Sequence, residues 1–188
     1  MNLALFDFDG TITSRDTMLE FARFVRGNAG FLSGMAFLFP KLAAYKAGLY
    51  SNVRMKESFL ARFFGGMSER QFRDLAREYS MKEIDRIVIP ESRALLDRHK
   101  ESGDRVVVVS ASIDCWVSPW CEKEGFELLA TGLEFLNGEV TGRLSTPNCY
   151  GPEKVRRIRA RLDPGDYERI YAYGDSLGDR EMLELSRV

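Results

Sequence analysis

The stretch from Leu3 to Thr13 constrains the rest of the chain more than any other. Leu3-Ala4-Leu5-Phe6 has the apolar pattern of a short buried strand, and Asp7 and Asp9 interrupt it where the strand should end, with Gly10 and Thr11 immediately after. Unpaired buried carboxylates are costly, or they take up a proton. A ligand or a cation is needed to hold two acids there. In a regular strand Asp7 and Asp9 point to the same side, near the carboxy-terminal edge where open α/β sheets bind ligands. A plainer alternative, a strand end with solvated acids, stands beside this at the level of one segment.

The 188 residues suffice for one good core, or for a core with a smaller inserted module. A net charge of −1 argues against wholesale nucleic-acid binding. Cys115, Cys121 and Cys149 form no CxxC pair, which suits reduced thiols in a cytoplasmic protein. No signal peptide precedes the first strand, which agrees with a cytoplasmic location.

After the opening loop, Thr17 and Glu20 read as a capping box for a helix carrying Met18, Phe21, Ala22 and Val25 up to Gly27. Ala29 to Phe39 is almost wholly apolar and ends at Pro40, too short for a membrane span; a helix buried in a helical module is expected, and a lipid-contacting face is the alternative. Phe59, Leu60, Phe63 and Phe64 form another apolar stripe, and Ser68 with Gln71 opens a further helix. Pro90 starts a helix that runs to Gly103, with His99 as a cation near its end. Strand and helix then alternate. Arg105–Val109 is a β-branched strand ending in Ser110-Ala111-Ser112, Asp114 caps a helix in which Trp116 and Trp120 are expected in the core, with contacts to the cap as the alternative, and Asn137-Gly138 closes a hairpin. Gly151-Pro152 opens a helix with Lys154 in its first turn, and a strand at 169–173 runs into Gly174-Asp175-Ser176-Leu177-Gly178-Asp179. The expected fold is α/β, a Rossmann-like mainly parallel sheet with helices on both faces, residues 1–15 and 87–188 forming the core and residues 16–86 an inserted helical cap over its carboxy-terminal edge.

Four polar clusters thus follow strands or open helices: Asp7 with Asp9, Ser110, Lys154, and Asp175 with Asp179. Convergent carboxylates need a cation, and an all-oxygen donor set selects a hard ion such as Mg²⁺. A serine hydroxyl and a lysine suit phosphate oxygens. Alone, Lys154 beside Arg156, Arg157, Arg159 and Arg161 is an ordinary solvated helix face, and only the order of the clusters lifts it.

These segments resemble, in order and spacing, the four signature motifs of the haloacid dehalogenase superfamily, and the insertion after the first resembles the cap of its phosphoserine-phosphatase-like branch. The resemblance implies a Mg²⁺-dependent phosphatase acting on a small phosphomonoester. Asp7 is then the nucleophile that forms an aspartyl-phosphate, and Asp9 is the general acid and later the base. It further implies that Asp7, the backbone carbonyl of Asp9 and Asp175 bind Mg²⁺ with support from Asp179, and that Ser110 and Lys154 hold the phosphoryl oxygens. Departures bear on the substrate. Phosphoserine phosphatases have Ser-Gly-Gly where this chain has Ser110-Ala111-Ser112, their substrate-binding acid falls on Asp16, and their cap arginine falls near Arg54 or Arg62. The stretch from Tyr150 to Val155 and the apolar segment before Pro40 look more like a broader subfamily that includes lipid-phosphate phosphatases, so a lipid phosphate at a membrane surface is an alternative. A protein that binds phospho-ligands without catalysis is another, although it should have lost Asp7 or Asp9. Signal-receiver domains use similar residues, but they lack the cap. Members of the superfamily continue for at least one strand past the fourth motif, so the end at Ser186-Arg187-Val188 suggests a truncated record; the oligomeric state is not legible.

Overall fold

A computed structural model describes residues 1–186, so Arg187 and Val188 lie outside the described residues. The first strand is short because Asp7 ends its run of apolar side chains: β1 (Leu3–Phe6) is completely buried. The β-branched run makes β2 (Arg105–Ile113), which is longer than the sequence pattern indicates and carries a register shift between Ser110 and Ile113. With β3 (Glu127–Thr131) and β6 (Ile170–Tyr173) these strands form a parallel sheet in the order β3-β2-β1-β6. A parallel sheet is apolar on both faces because crossover helices cover both. Leu3, Leu5, Val107 and Val109 pack on one side with Ile158 and Met182, and Ala4, Phe6, Val106 and Val108 on the other with Leu96 and the tryptophans. Open α/β sheets with this topology leave a crevice at the carboxy-terminal ends of their strands.

The helical segment expected to form the cap follows directly. α1 (Thr17–Lys46) is broken at Gly27, whose φ of 66° and ψ of 171° lie outside the helical region and are open to glycine at little cost. Its N-cap is Asp16, whose carboxylate accepts from the backbone N–H of Met18 and of Leu19, rather than Thr17 with Glu20; Glu20 pairs with Arg23 at 2.5 Å instead. Pro40 does not end the helix, which continues through it to Lys46. The apolar segment before it is also only half buried. Phe31, Gly34 and Leu38 face inward, while Leu32, Phe37 and Phe39 are exposed. α2 (Asn52–Phe64) sends Phe59, Leu60, Phe63 and Phe64 into the cap core, and α3 (Glu69–Lys82), capped by Ser68, adds Phe72 and Tyr79. The rings of Phe21, Phe64, Phe72 and Trp116 then stack from cap to core.

α4 (Pro90–Glu101) begins at its proline, as expected, but His99 is no solvated end cation. It is buried, with Nδ1 at 2.7 Å from Asp104 and Nε2 at 2.9 Å from the Tyr173 hydroxyl, because the helix turns this face onto β6. α5 (Asp114–Glu124) is preceded by Ile113 at the N-cap, so Asp114 is its first residue and does not cap it. Trp116 and Trp120 are fully buried, and Trp116 also makes the contact to the inserted helices that was the alternative. β4 (Leu133–Leu136) and β5 (Glu139–Leu144) form the hairpin, with Asn137 and Gly138 both at positive φ as a type I′ turn requires. The hairpin leans on the cap, where Gly66 and Met67 exchange backbone hydrogen bonds with Val140. α6 (Pro152–Arg161) and α7 (Arg180–Leu183) close the core. Among the described residues no helix is long and apolar enough to cross a membrane.

Trp116 joins the halves, since its ring packs on Phe21 and Phe72 of the cap and its indole N–H donates to Thr17 Oγ1 at 3.2 Å. Trp116→Ala is expected to cost about 3–5 kcal/mol of unfolding free energy, read as a lowered urea midpoint.

Candidate active site

The site lies where β1 and β2 end beneath the cap. After Phe6 the backbone turns, Gly10 N–H bonds to Thr13 O, and a bridge pairs Asp9 with Thr13. Gly10 is fixed at φ 87°, and a Cβ there would run into the carboxylate of Asp175, so glycine is the residue that allows the two loops to approach. Asp7 and Asp9 therefore lie beyond the strand, where strand parity no longer sets their directions. They diverge. Asp7 faces Lys154, Asp175 and Asp179, whereas Asp9 faces the cap, accepting from Thr17 N–H at 2.8 Å and from the Ser112 hydroxyl.

Lys154 reaches this point because α6 starts at Gly151-Pro152 and turns its first-turn side chain inward, leaving it 1% exposed while Arg156, Arg159 and Arg161 stay in solvent. Its Nζ donates to Asp7 Oδ1 at 2.5 Å and to Asp179 Oδ1 at 2.6 Å. Burial works against the ammonium, but Asp7 and Asp179 hold its pKa above the usual lysine range. Burial pushes the Asp7 carboxyl up to about 6, even with Lys154 pulling the other way. Asp179 is held below the usual carboxylate range by its hydrogen bond to Lys154, in spite of burial, and its Oδ2 caps the turn at Leu177–Asp179 by accepting from Ser176. Asp175 is exposed and accepts from Thr11 Oγ1 at 3.1 Å.

One oxygen from each of Asp7, Asp175 and Asp179 lies within 4.8 Å of the others, a hard, all-oxygen set that fits a Mg²⁺-sized cation. The carboxylate of Asp9 is not in this set. Ser110 is buried beside it and accepts from Ser112 N–H at 3.0 Å. Asp7, Asp9, Asp16, Ser110, Lys154 and Asp179 all line one cavity of about 520 Å³. Asp16 is at its exposed edge, with Oδ1 engaged in capping α1.

Sequence reasoning missed several members. Ser112 and Thr17 share a 3.0 Å hydrogen bond, and with the Trp116 indole they form a chain that ends on Asp9 and orients it. Burial and the neighbouring Asp16 push the Asp9 carboxyl up to about 7, more than its hydrogen bonds lower it. Lys56, on α2, crosses from the cap into this cavity and donates to Ala111 O and to Asn148 Oδ1, both at 2.8 Å. Burial lowers its ammonium to about 8 against the pull of Asp9 and Asp16. Arg54 and Arg62 line a separate surface hollow, and Arg62 stacks on Phe37 there. A single cation among several on an amphipathic helix gave no sequence signal that Lys56 is the one turned inward. Cys115 and Cys149 carry no nucleophile's signature, since burial pushes their thiols up to about 12 and about 11.

The family model for haloacid dehalogenase-like hydrolases matches residues 4–184. Protein CicA of Caulobacter vibrioides is 32% identical over 98% of this chain and 82% of its own length. A probable phosphatase of Mycobacterium tuberculosis, Rv3661, is 29% identical over 96% of this chain and 65% of its own length. The fold matches a probable phosphoserine phosphatase from Vibrio cholerae at a TM-score of 0.72 and 16% identity, over 98% of this chain and 54% of that one. With a family match over nearly its whole length and a relative 32% identical over 82% of its own length, the chain belongs to the haloacid dehalogenase-like hydrolases.

Proposed function

We propose that the chain hydrolyses a small organic phosphomonoester through a phosphoryl group carried transiently on Asp7. The observation that carries this reading is the placement of Lys154 between Asp7 and Asp179 at the bottom of a cavity that also contains Asp9. A carboxylate attacks a phosphate dianion poorly unless positive charge offsets the repulsion. Lys154 supplies one such charge. Mg²⁺ held by Asp7, Asp175 and Asp179 together with the backbone carbonyl of Asp9 would supply the rest and align the phosphoryl oxygens.

In the first step an Asp7 oxygen bonds to phosphorus as the ester oxygen leaves, and Asp9 gives that oxygen its proton. A carboxyl pushed up to about 7 is about half protonated at neutral pH, which suits a group that gives a proton in one step and takes one in the next. Asp9, now ionised, takes a proton from water. The water oxygen bonds to phosphorus, the Asp7–phosphorus bond breaks, and phosphate departs. The Ser112–Thr17–Trp116 chain keeps Asp9 aimed into the cavity during both steps. Ser110 and Lys154 hold the phosphoryl oxygens between them.

The test is phosphate release from p-nitrophenyl phosphate and from phosphoserine, with Mg²⁺ and after treatment with EDTA. Release that needs Mg²⁺ and returns on adding it back is expected. Turnover that is unchanged by EDTA would contradict the role given to the three carboxylates.

A further inference from the structure

β2 does not end as a plain strand. Ser110 pairs with Ala130 and Ile113 with Thr131, and the register shifts between them, so Ala111 and Ser112 stand in a bulge without partners in that ladder. The bulge presents Ser112 to Asp9, whose carboxylate accepts from the Ser112 hydroxyl. It also leaves the Ala111 carbonyl to be satisfied from elsewhere, because a backbone oxygen taken from water needs a donor. Lys56 supplies that donor, with Nζ 2.8 Å from Ala111 O.

The sequence of α2 explains how a lysine comes to be there. Lys56 lies one turn before Phe59 and Leu60 and two turns before Phe63, so it continues the stripe by which α2 buries itself. Past the end of the aromatic core the same face of the helix reaches the bulge. Nζ is anchored a second time by Asn148 Oδ1 at 2.8 Å. Asn148 is fixed in turn, since the Thr131 hydroxyl of β3 donates to its Oδ1 at 3.3 Å and its Nδ2 donates to Asn52 Oδ1 at 3.2 Å. The ammonium is therefore held in place by the protein alone, before any substrate arrives.

Two contacts from the inserted helices thus close on one bulge. Thr17, the first residue of α1, shares a hydrogen bond with Ser112, and Lys56 of α2 holds Ala111. Ser110 keeps its ladder partner on β3. Releasing Ala111 would loosen Ser112, and with it Asp9, and leave the serine assigned to the phosphoryl oxygens where it is.

Resting on the phosphatase reading above, we propose that Lys56 is a positioning residue that acts through Ala111 and Ser112 to keep Asp9 in line with the leaving oxygen. It transfers no proton and forms no bond in the reaction. Its third N–H has no partner among the described residues, so direct contact with an anionic group of the substrate is the competing role that the test has to separate from this one.

The test compares Lys56→Met, which keeps the length of the side chain and removes the donor, with the unmutated Mg²⁺-loaded chain. An alkyl leaving oxygen needs the proton of Asp9, whereas nitrophenolate does not. On ethyl phosphate kcat/KM is expected to fall about thirtyfold, through kcat, while on p-nitrophenyl phosphate it stays within about threefold. In an Asp9→Asn background Lys56→Met is expected to cost about twofold or less on ethyl phosphate, because the group it positions is already gone. Asn148→Ala, which removes one anchor of Nζ and leaves the lysine in place, is expected to show the same leaving-group dependence at about threefold, and it decides the question if Lys56→Met lowers the thermal midpoint. Equal losses on the two esters, or a loss on ethyl phosphate that persists in Asp9→Asn, would overturn the inference and leave the phosphatase reading standing. So would a rise in KM for phosphoserine that phosphoethanolamine does not share, since that would make Lys56 a contact for the substrate carboxylate. Failure of the unmutated chain to hydrolyse any of these esters would overturn both.

Discussion

Asp7→Asn is expected to lower phosphate release by a factor on the order of 10⁵ while the protein stays folded. The amide keeps the volume of the side chain but has no anionic oxygen to bond to phosphorus. The fold tolerates the change because Asp7 already sits where burial raises its carboxyl to about 6, so the site does not depend on its charge for stability. Lys154 keeps Asp179 as a counter-ion at 2.6 Å. Steady-state phosphate release with saturating Mg²⁺, alongside the thermal unfolding midpoint, checks both halves. Activity within tenfold of the unmutated chain would remove Asp7 from the chemistry.

Asp9→Asn is expected to show a different signature, a loss of about 10²–10⁴-fold that depends on the leaving group. Asn retains an acceptor for Thr17 N–H and offers Ser112 a donor, so the loop geometry is kept. An alkyl alcohol must be protonated as it leaves, whereas p-nitrophenolate leaves without a proton. With p-nitrophenyl phosphate the variant should release a burst of product equal to the enzyme and then turn over slowly, because the base for the second step is gone. Equal losses on alkyl and nitrophenyl esters, with no burst, would assign Asp9 a structural role.

Much of this was legible in the sequence because the requirements are local. A strand ended by two acids, a β-branched strand ended by serines, a lysine just after Gly151-Pro152, and acids after a fourth strand define one sheet edge without knowledge of tertiary contacts. Helix starts at Ser68 and Pro90 and the Asn137-Gly138 turn were readable for the same reason. What escaped was set by packing across the chain. Pro40 stays within a helix, and the faces of the segment before it are sorted by α2, whose Phe63 stacks on Phe31. His99 is buried because Asp104 and Tyr173, distant in sequence or on another element, complete its hydrogen bonds. The same holds at the site. Lys56 becomes part of it through Ala111 and Asn148, which lie 55 and 92 residues away.

The measurement that bears most directly on the account is the mass of the peptide containing Asp7 after acid quenching during turnover of p-nitrophenyl phosphate with Mg²⁺. The account predicts one added phosphoryl group on Asp7, labile to hydroxylamine, absent in Asp7→Asn and enriched in Asp9→Asn. An unmodified Asp7 in a turning-over enzyme, with none accumulating in Asp9→Asn, would contradict it and point instead to direct attack of water on the ester.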